Sequence, residues 1–140
     1  MQDKTVLRDE ISIQALPSKV WVVLTEPDYT RQYFFDSAIL SEWTQGSEVI
    51  TEAMDDETVA LKNGTILESI PGLLLRFTLP EKQMRQASIW AVAYELFPEE
   101  GGVRLRLSQE ICHHTAEIYH SAHQNSVLIL QKIKWLAEYA

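Results

Sequence analysis

Residues 121–140 read SAHQNSVLILQKIKWLAEYA, with no Gly or Pro to interrupt a helix. At about 100° per residue, Ala122, Ser126, Ile129, Ile133, Leu136 and Ala140 fall on one line, and Leu130 and Ala137 widen it into an apolar stripe. The spacing predicts one core-facing helix. Its first half offers only Ala122 and Ser126 to the interior, whereas its second half offers Ile129, Ile133 and Leu136. A concave partner is then filled at one end and left roomy at the other, so a pocket is the first functional expectation.

Working outward, residues 6–15 alternate. Leu7, Asp9, Ile11, Ile13 and Ala15 lie on one side and Arg8, Glu10, Ser12 and Gln14 on the other, the period of a half-buried strand. Pro17-Ser18-Lys19 opens a short helix, where a missing N–H costs nothing, and Val20, Val23 and Leu24 give it a core face. Glu26-Pro27-Asp28 is expected to stop it. A second short helix over about 29–35 ends in Tyr33-Phe34-Phe35, three aromatics that cannot all face one interior, so at least one lines a cavity or a rim. After a loop holding Trp43 and Gly46, strands are predicted over about 47–54, 57–62, 64–70, 73–79, 87–97 and 102–111. Asp55-Asp56, Asn63-Gly64, Pro71-Gly72, Pro80 to Gln86 and Glu99 to Gly102 punctuate them as turns. In the last two strands Trp90, Val92, Tyr94 and Leu96 share a face, as do Val103, Leu105, Leu107, Gln109 and Ile111, with Arg104, Arg106, Ser108 and Glu110 on the wet side. Residues 112–120 read as a loop.

Composition narrows the function classes. With 140 residues, 46% of them hydrophobic, residues 1–140 are expected to form one domain with a real core. A net charge of −8 and twelve scattered basic residues argue against nucleic acid, whose phosphates need a clustered Lys/Arg surface. No apolar run approaches the ~20 residues that cross a bilayer, so no membrane insertion is expected. The lone Cys112 has no internal disulfide partner, and Met1-Gln2-Asp3-Lys4 lacks the basic and apolar character of a signal peptide. The cytoplasm is the expected setting.

The order strand, two short helices, six strands, long helix predicts an α+β fold. A curved antiparallel sheet of about seven strands wraps around the C-terminal helix, which buries both apolar faces. Several motifs then carry a family resemblance: Val20-Trp21 with Leu24-Thr25, Trp43 with Gly46-Ser47, Gly64 to Glu68 before Pro71, Leu75-Arg76-Phe77-Thr78, Tyr94-Glu95-Leu96, and Gly101-Gly102 before Arg104-Leu105. In that order they resemble the helix-grip, START-like (Bet v-like) superfamily, SRPBCC, and most its branch of activators of heat-shock-protein ATPase (AHSA1-like), over nearly the whole chain. Val103 stands where that family usually has Thr, Leu79 where Trp is common, and Asn125-Ser126 where Gly-Trp commonly begins the last helix. The resemblance implies binding of a hydrophobic or amphipathic small molecule between sheet and C-terminal helix. It implies two alternatives: a protein-interaction, chaperone-linked role, and an enzyme of the polyketide cyclase/aromatase kind.

The candidate ligand-binding residues are Tyr33, Phe34, Trp43, Phe77, Trp90, Tyr94, Gln109, Ala122, Ser126 and Leu130, because such a site is mostly apolar with a few orienting polar groups. Glu68 joins them in one of two registers. If Ile70-Pro71-Gly72-Leu73 is a two-residue hairpin turn, Glu68 pairs with Leu75, faces the cavity and has its pKa raised by desolvation. Slipped by one residue, it faces Arg76 in a cross-strand ion pair. Cys112-His113-His114 and His120-x-x-His123 hold all four histidines and the only cysteine, yet fit no standard zinc spacing, and Glu52, Asp55, Asp56 and Glu57 lack the glycine and terminal Glu of a calcium loop. No metal, cofactor or catalytic residue is assigned; Cys112 and His113 as chain neighbours are not a nucleophile–base geometry. Leu128 and Trp135 lie opposite the helix stripe, suited either to cover by loops or to a homodimer contact.

Overall fold

The computed structural model describes residues 4–34, 37–53, 62–78, 89–112 and 116–140. In chain order it has β1 (Lys4–Ile13), α1 (Pro17–Thr25), α2 (Pro27–Tyr33), β2 (Ser37–Leu40), β3 (Glu48–Ala53), β4 (Lys62–Ile70), β5 (Leu74–Thr78), β6 (Ile89–Glu99), β7 (Gly102–Cys112) and α3 (Ala116–Tyr139). The strands form one antiparallel sheet in the order β1-β7-β6-β5-β4-β3-β2. Its inner face and the stripe of α3 bury each other, which is the helix-grip arrangement.

Alternation in β1 puts Leu7 and Ile13 in the core and Arg8, Glu10 and Ser12 in water. Pro17 sits in the first turn of α1, which buries Val20, Val23 and Leu24. α1 stops before Pro27 as expected, with Glu26 closing it, and Pro27 also opens α2, two residues before the expected start. The Thr30 hydroxyl accepts from Ile39 N–H at 2.8 Å and donates to the Pro27 carbonyl at 3.1 Å, which ties α2 to β2. β2 was not anticipated: its four residues are too few to show a period, and pairing with β3 creates it.

One turn reading is corrected, and at another the turn stands as expected with one of its two registers chosen. Asn63-Gly64 lies inside β4, where a Cβ on Gly64 would sit 2.1 Å from the Thr78 carbonyl oxygen, so the glycine serves close strand approach. At Pro71-Gly72, Leu73 N–H donates to the Ile70 carbonyl at 2.9 Å and Gly72 has φ +80°, a type II-like turn. Leu73 is then an extra loop residue, and Ile70 pairs with Leu74 rather than Leu73. The separate strand expected over 57–62 falls mostly on residues outside the described ones.

The long helix begins at Ala116, five residues before the expected start. Ala122, Ser126, Ile129, Leu130, Ile133, Leu136 and Ala137 are buried as the stripe requires, whereas Ala140 is exposed beyond the helix end. Its C-terminal end is tied down. Glu138 accepts from Gln14 N–H at 2.8 Å and from Lys134 Nζ at 2.6 Å, and Lys134 Nζ also donates to the Ser12 carbonyl at 2.8 Å. The Gln14 bond first, and Lys134 second, hold the Glu138 carboxyl below its ordinary pKa.

Candidate functional site

The inner face of β5 and β6 carries Phe77, Val92 and Tyr94, and β7 adds Gln109 beside them. Tyr33 ends α2 and Phe34 caps it, both buried, and from α3 come Ala122, Ser126 and Leu130. The structure therefore brings these expected residues to the space between sheet and helix. Trp90 lies in β6, but its side chain is outside the described ones, as is Phe35.

Polar groups inside form two pairs. Tyr33 donates its hydroxyl proton to the Leu24 carbonyl at 2.9 Å and is hydrogen-bonded to Tyr94. A phenol has one proton, so Tyr94 is the donor to Tyr33. Burial first of all pushes the pKa of both phenols above the ordinary value, so neither serves as an acid near neutrality. On the other side, Gln109 Nε2 donates to the Ala122 carbonyl at 3.1 Å, joining β7 to the N-terminal half of α3.

Trp43 is the backbone outlier, a non-glycine residue with φ +58°. Its N–H donates to Ser41 Oγ at 3.0 Å, its carbonyl accepts from Ser69 Oγ at 2.7 Å, and its ring meets Phe77 edge-on with centroids 6.3 Å apart. The flanking serines thus hold a conformation that costs of order 1–3 kcal/mol and keep the indole against the aromatic wall.

Ser126 and Thr51 are fully buried, yet their hydroxyls have no hydrogen-bond partner among the described residues. Thr51 was not singled out from the sequence, although its alternation with the buried Val49 marks it as inward-facing. Among the described residues, Thr30, Thr51, Gln109 and Ser126, together with the two phenols, make the fully buried inner polar set uncharged. Asp9 and His123 meet where β1 joins α3, Nδ1 to carboxylate at 3.1 Å, with the His123 side chain 47% exposed.

Glu68 is a correction. It pairs with Arg76, is exposed, and forms an ion pair with Arg76 at 3.9 Å on the outer face of the sheet. The physical reason is the three-residue loop at 71–73 together with a register shift between Ile66 and Glu68, which returns Ile66 to Phe77 while turning Glu68 outward. Arg76 also donates to Glu110 through Nε at 3.0 Å and through a terminal nitrogen at 2.7 Å. Glu110 and Ser108, read as wet, are buried on that outer face.

Among the described residues no three metal-ligating side chains converge, and no helix is long and apolar enough to cross a membrane. His113, His114 and the Cys112 side chain lie outside the described residues, as do the carboxylates of the acidic 52–57 segment. Clefts lined by described residues lie on the outside. One, of about 340 Å³, runs along α3 between Gln32, Leu128, Gln131, Lys132, Trp135 and Leu136.

Comparison with known proteins follows the same lines. No curated protein matches the sequence. Among solved structures, ChR145 from Cytophaga hutchinsonii aligns with TM-score 0.78 at 21% identity, over 96% of this chain and 94% of that one. EF2215 from Enterococcus faecalis, a conserved protein of unknown function, aligns with TM-score 0.75 at 17% identity, over 97% of this chain and 72% of that one. The Aha1 dimer from Colwellia psychrerythraea gives TM-score 0.73 at 17% identity, over 96% of this chain and 97% of that one. At such identities these are likenesses of fold. Residues 14–138 match the family described as Activator of Hsp90 ATPase homolog 1-like protein, a match over most of the sequence, and the chain belongs to that AHSA1-like family.

Proposed function

We propose that this protein binds a hydrophobic or amphipathic small molecule between the inner face of its sheet and the N-terminal half of α3, and that it does so in the cytoplasm, where the unpaired Cys112 needs no partner. The observation that carries the reading is the Ser126 hydroxyl. It is fully buried and has no hydrogen-bond partner among the described residues. Leaving such a group unsatisfied costs about 1–3 kcal/mol, a cost that an occupant supplying the missing partner removes. The surrounding aromatic and aliphatic wall of Phe77, Val92, Tyr94 and Leu130 suits an apolar body. Ligand-observed NMR against neutral amphipathic molecules tests this, using the wild type and Ser126→Trp. The indole fills the space at a strain cost of about 1–3 kcal/mol if the site is already tight, so binding signals are expected to vanish in the variant. Equal signals in both proteins would remove the site.

A cyclase-type reaction in the same space needs an acid or base. The fully buried inward groups described here are neutral at working pH, which favours binding over chemistry. One observation favours a second, protein-interaction reading. Leu128, Trp135 and Tyr139 are exposed on the outer side of α3, with the rings of Trp135 and Tyr139 6.1 Å apart. One structural neighbour is described as a dimer, so a second copy is the partner to test first. Sedimentation equilibrium of the purified chain decides: a dimer supports this contact, and a monomer at about 100 μM, well above the Kd range of stable homodimers, removes it.

A further inference from the structure

Within an α-helix, a serine hydroxyl ordinarily donates to the carbonyl four residues earlier, which for Ser126 is that of Ala122. That carbonyl is already in use. Its two lone pairs receive the helical N–H of Ser126 itself and the Nε2 of Gln109 at 3.1 Å. The hydroxyl proton of Ser126 is therefore left without an acceptor inside the protein, at a position with no solvent exposure.

The charge around it is equally informative. Among the described residues, the fully buried polar side chains on the inner face are hydroxyls and a carboxamide, none of them ionised, and the Asp9 carboxylate already shares a hydrogen bond with His123 Nδ1 at the edge. A carboxylate head group brought beside Ser126 meets one neutral donor and no buried Lys or Arg among the described residues, and an ion buried that way loses its hydration with little in return. An alkane satisfies nothing.

Resting on the binding site proposed above, we infer that its ligand presents an uncharged hydrogen-bond acceptor, a ketone, ester or ether oxygen, which takes the Ser126 hydroxyl proton, and that Ser126 selects such molecules over the corresponding carboxylates. The Gln109–Ala122 bond acts here as a positioning contact, because it denies Ser126 its usual partner.

The test uses 2-alkanones and straight-chain carboxylates of eight, ten and twelve carbons, titrated calorimetrically at pH 8 into the full chain and into Ser126→Ala. For at least one length the ketone is expected to bind tenfold or more tighter than the carboxylate. Ser126→Ala is expected to weaken the ketone about fivefold, as for one neutral hydrogen bond, and to leave the carboxylate unchanged. Because the variant deletes an unsatisfied hydroxyl, the free protein is expected to melt at the same or a higher temperature, so a folding defect does not mimic the result. Carboxylates binding as well as ketones, or a ketone affinity untouched by Ser126→Ala, would overturn the inference while leaving the pocket in place. Failure of every probe to bind either protein would overturn the pocket itself, and this inference with it.

Discussion

Tyr33 and Tyr94 show how a pair of residues ties layers together. Tyr94 belongs to the sheet and Tyr33 to α2, and the chain of donors from Tyr94 through Tyr33 to the Leu24 carbonyl links β6, α2 and α1 through the interior. Replacing Tyr94 by Phe removes one donor and leaves the packing, so at neutral pH it is expected to cost about 0.5–1.5 kcal/mol. The pH dependence has a definite sign. Both phenols have folded pKa values above the ordinary value near ~10, which makes their neutral forms a source of stability. That contribution is complete below the unfolded pKa and is lost as pH rises from there toward the folded values. The gap between wild type and Tyr94→Phe should therefore narrow above pH ~10, followed by urea unfolding at a series of alkaline pH values. A gap that stays constant would mean that Tyr94 is not held neutral by burial. Tyr94 was legible as an inward aromatic from strand alternation, whereas Tyr33 was one of three adjacent aromatics whose inward member the sequence leaves open. Their bond to each other was not legible, since nothing in one sequence relates residue 33 to residue 94.

At the scale of elements, what was legible followed period and what was missed followed pairing. The alternation of β1 and β7 and the stripe of α3 each carry enough residues to declare a face, and the inward apolar sets follow it, with Ala140 exposed past the helix end and Ser108 and Glu110 buried on the outer face as the exceptions. Gly64 failed because Asn-Gly has two physical uses, a tight turn and a close approach, and only the partner strand tells them apart. Glu68 failed for a related reason. Pro71-Gly72 announces a turn, but the length of the loop and the shift near Ile66 decide which residue of β5 stands opposite, and one residue reverses a face. β2 was invisible because a four-residue edge strand gains its identity from β3. The start of α3 was missed because Ala116, Glu117, Tyr119 and His120 are exposed and show no stripe.

Across the whole molecule, the asymmetry of α3 is the feature that joins fold to proposed function. Its C-terminal half packs Ile129, Ile133 and Leu136 into the core and is fastened to the β1 end of the chain through Glu138, Lys134 and Lys19, whose Nζ donates to the Ala140 carbonyl at 3.0 Å. Its N-terminal half offers small residues and is joined to the sheet by the Gln109–Ala122 bond and the exposed Asp9–His123 pair. A hydrogen bond to a half-exposed imidazole adds little, and Ala122 and Ser126 bury little apolar surface, so local opening should begin at this end. Hydrogen exchange is expected to find the amides of residues 129–139 protected beyond those of residues 116–126 in the free protein. A ketone bound beside Ser126 adds contacts to the weaker half alone, and a ligand that binds only the closed form stabilises it by RT ln(1 + [L]/Kd), about 2.7 kcal/mol at a hundredfold excess over Kd. Exchange over 116–126 should then slow while exchange over 129–139 stays nearly fixed. Uniform protection along α3 without ligand, or slowing confined to the C-terminal half, would place the yielding part of the grip elsewhere and take the site with it.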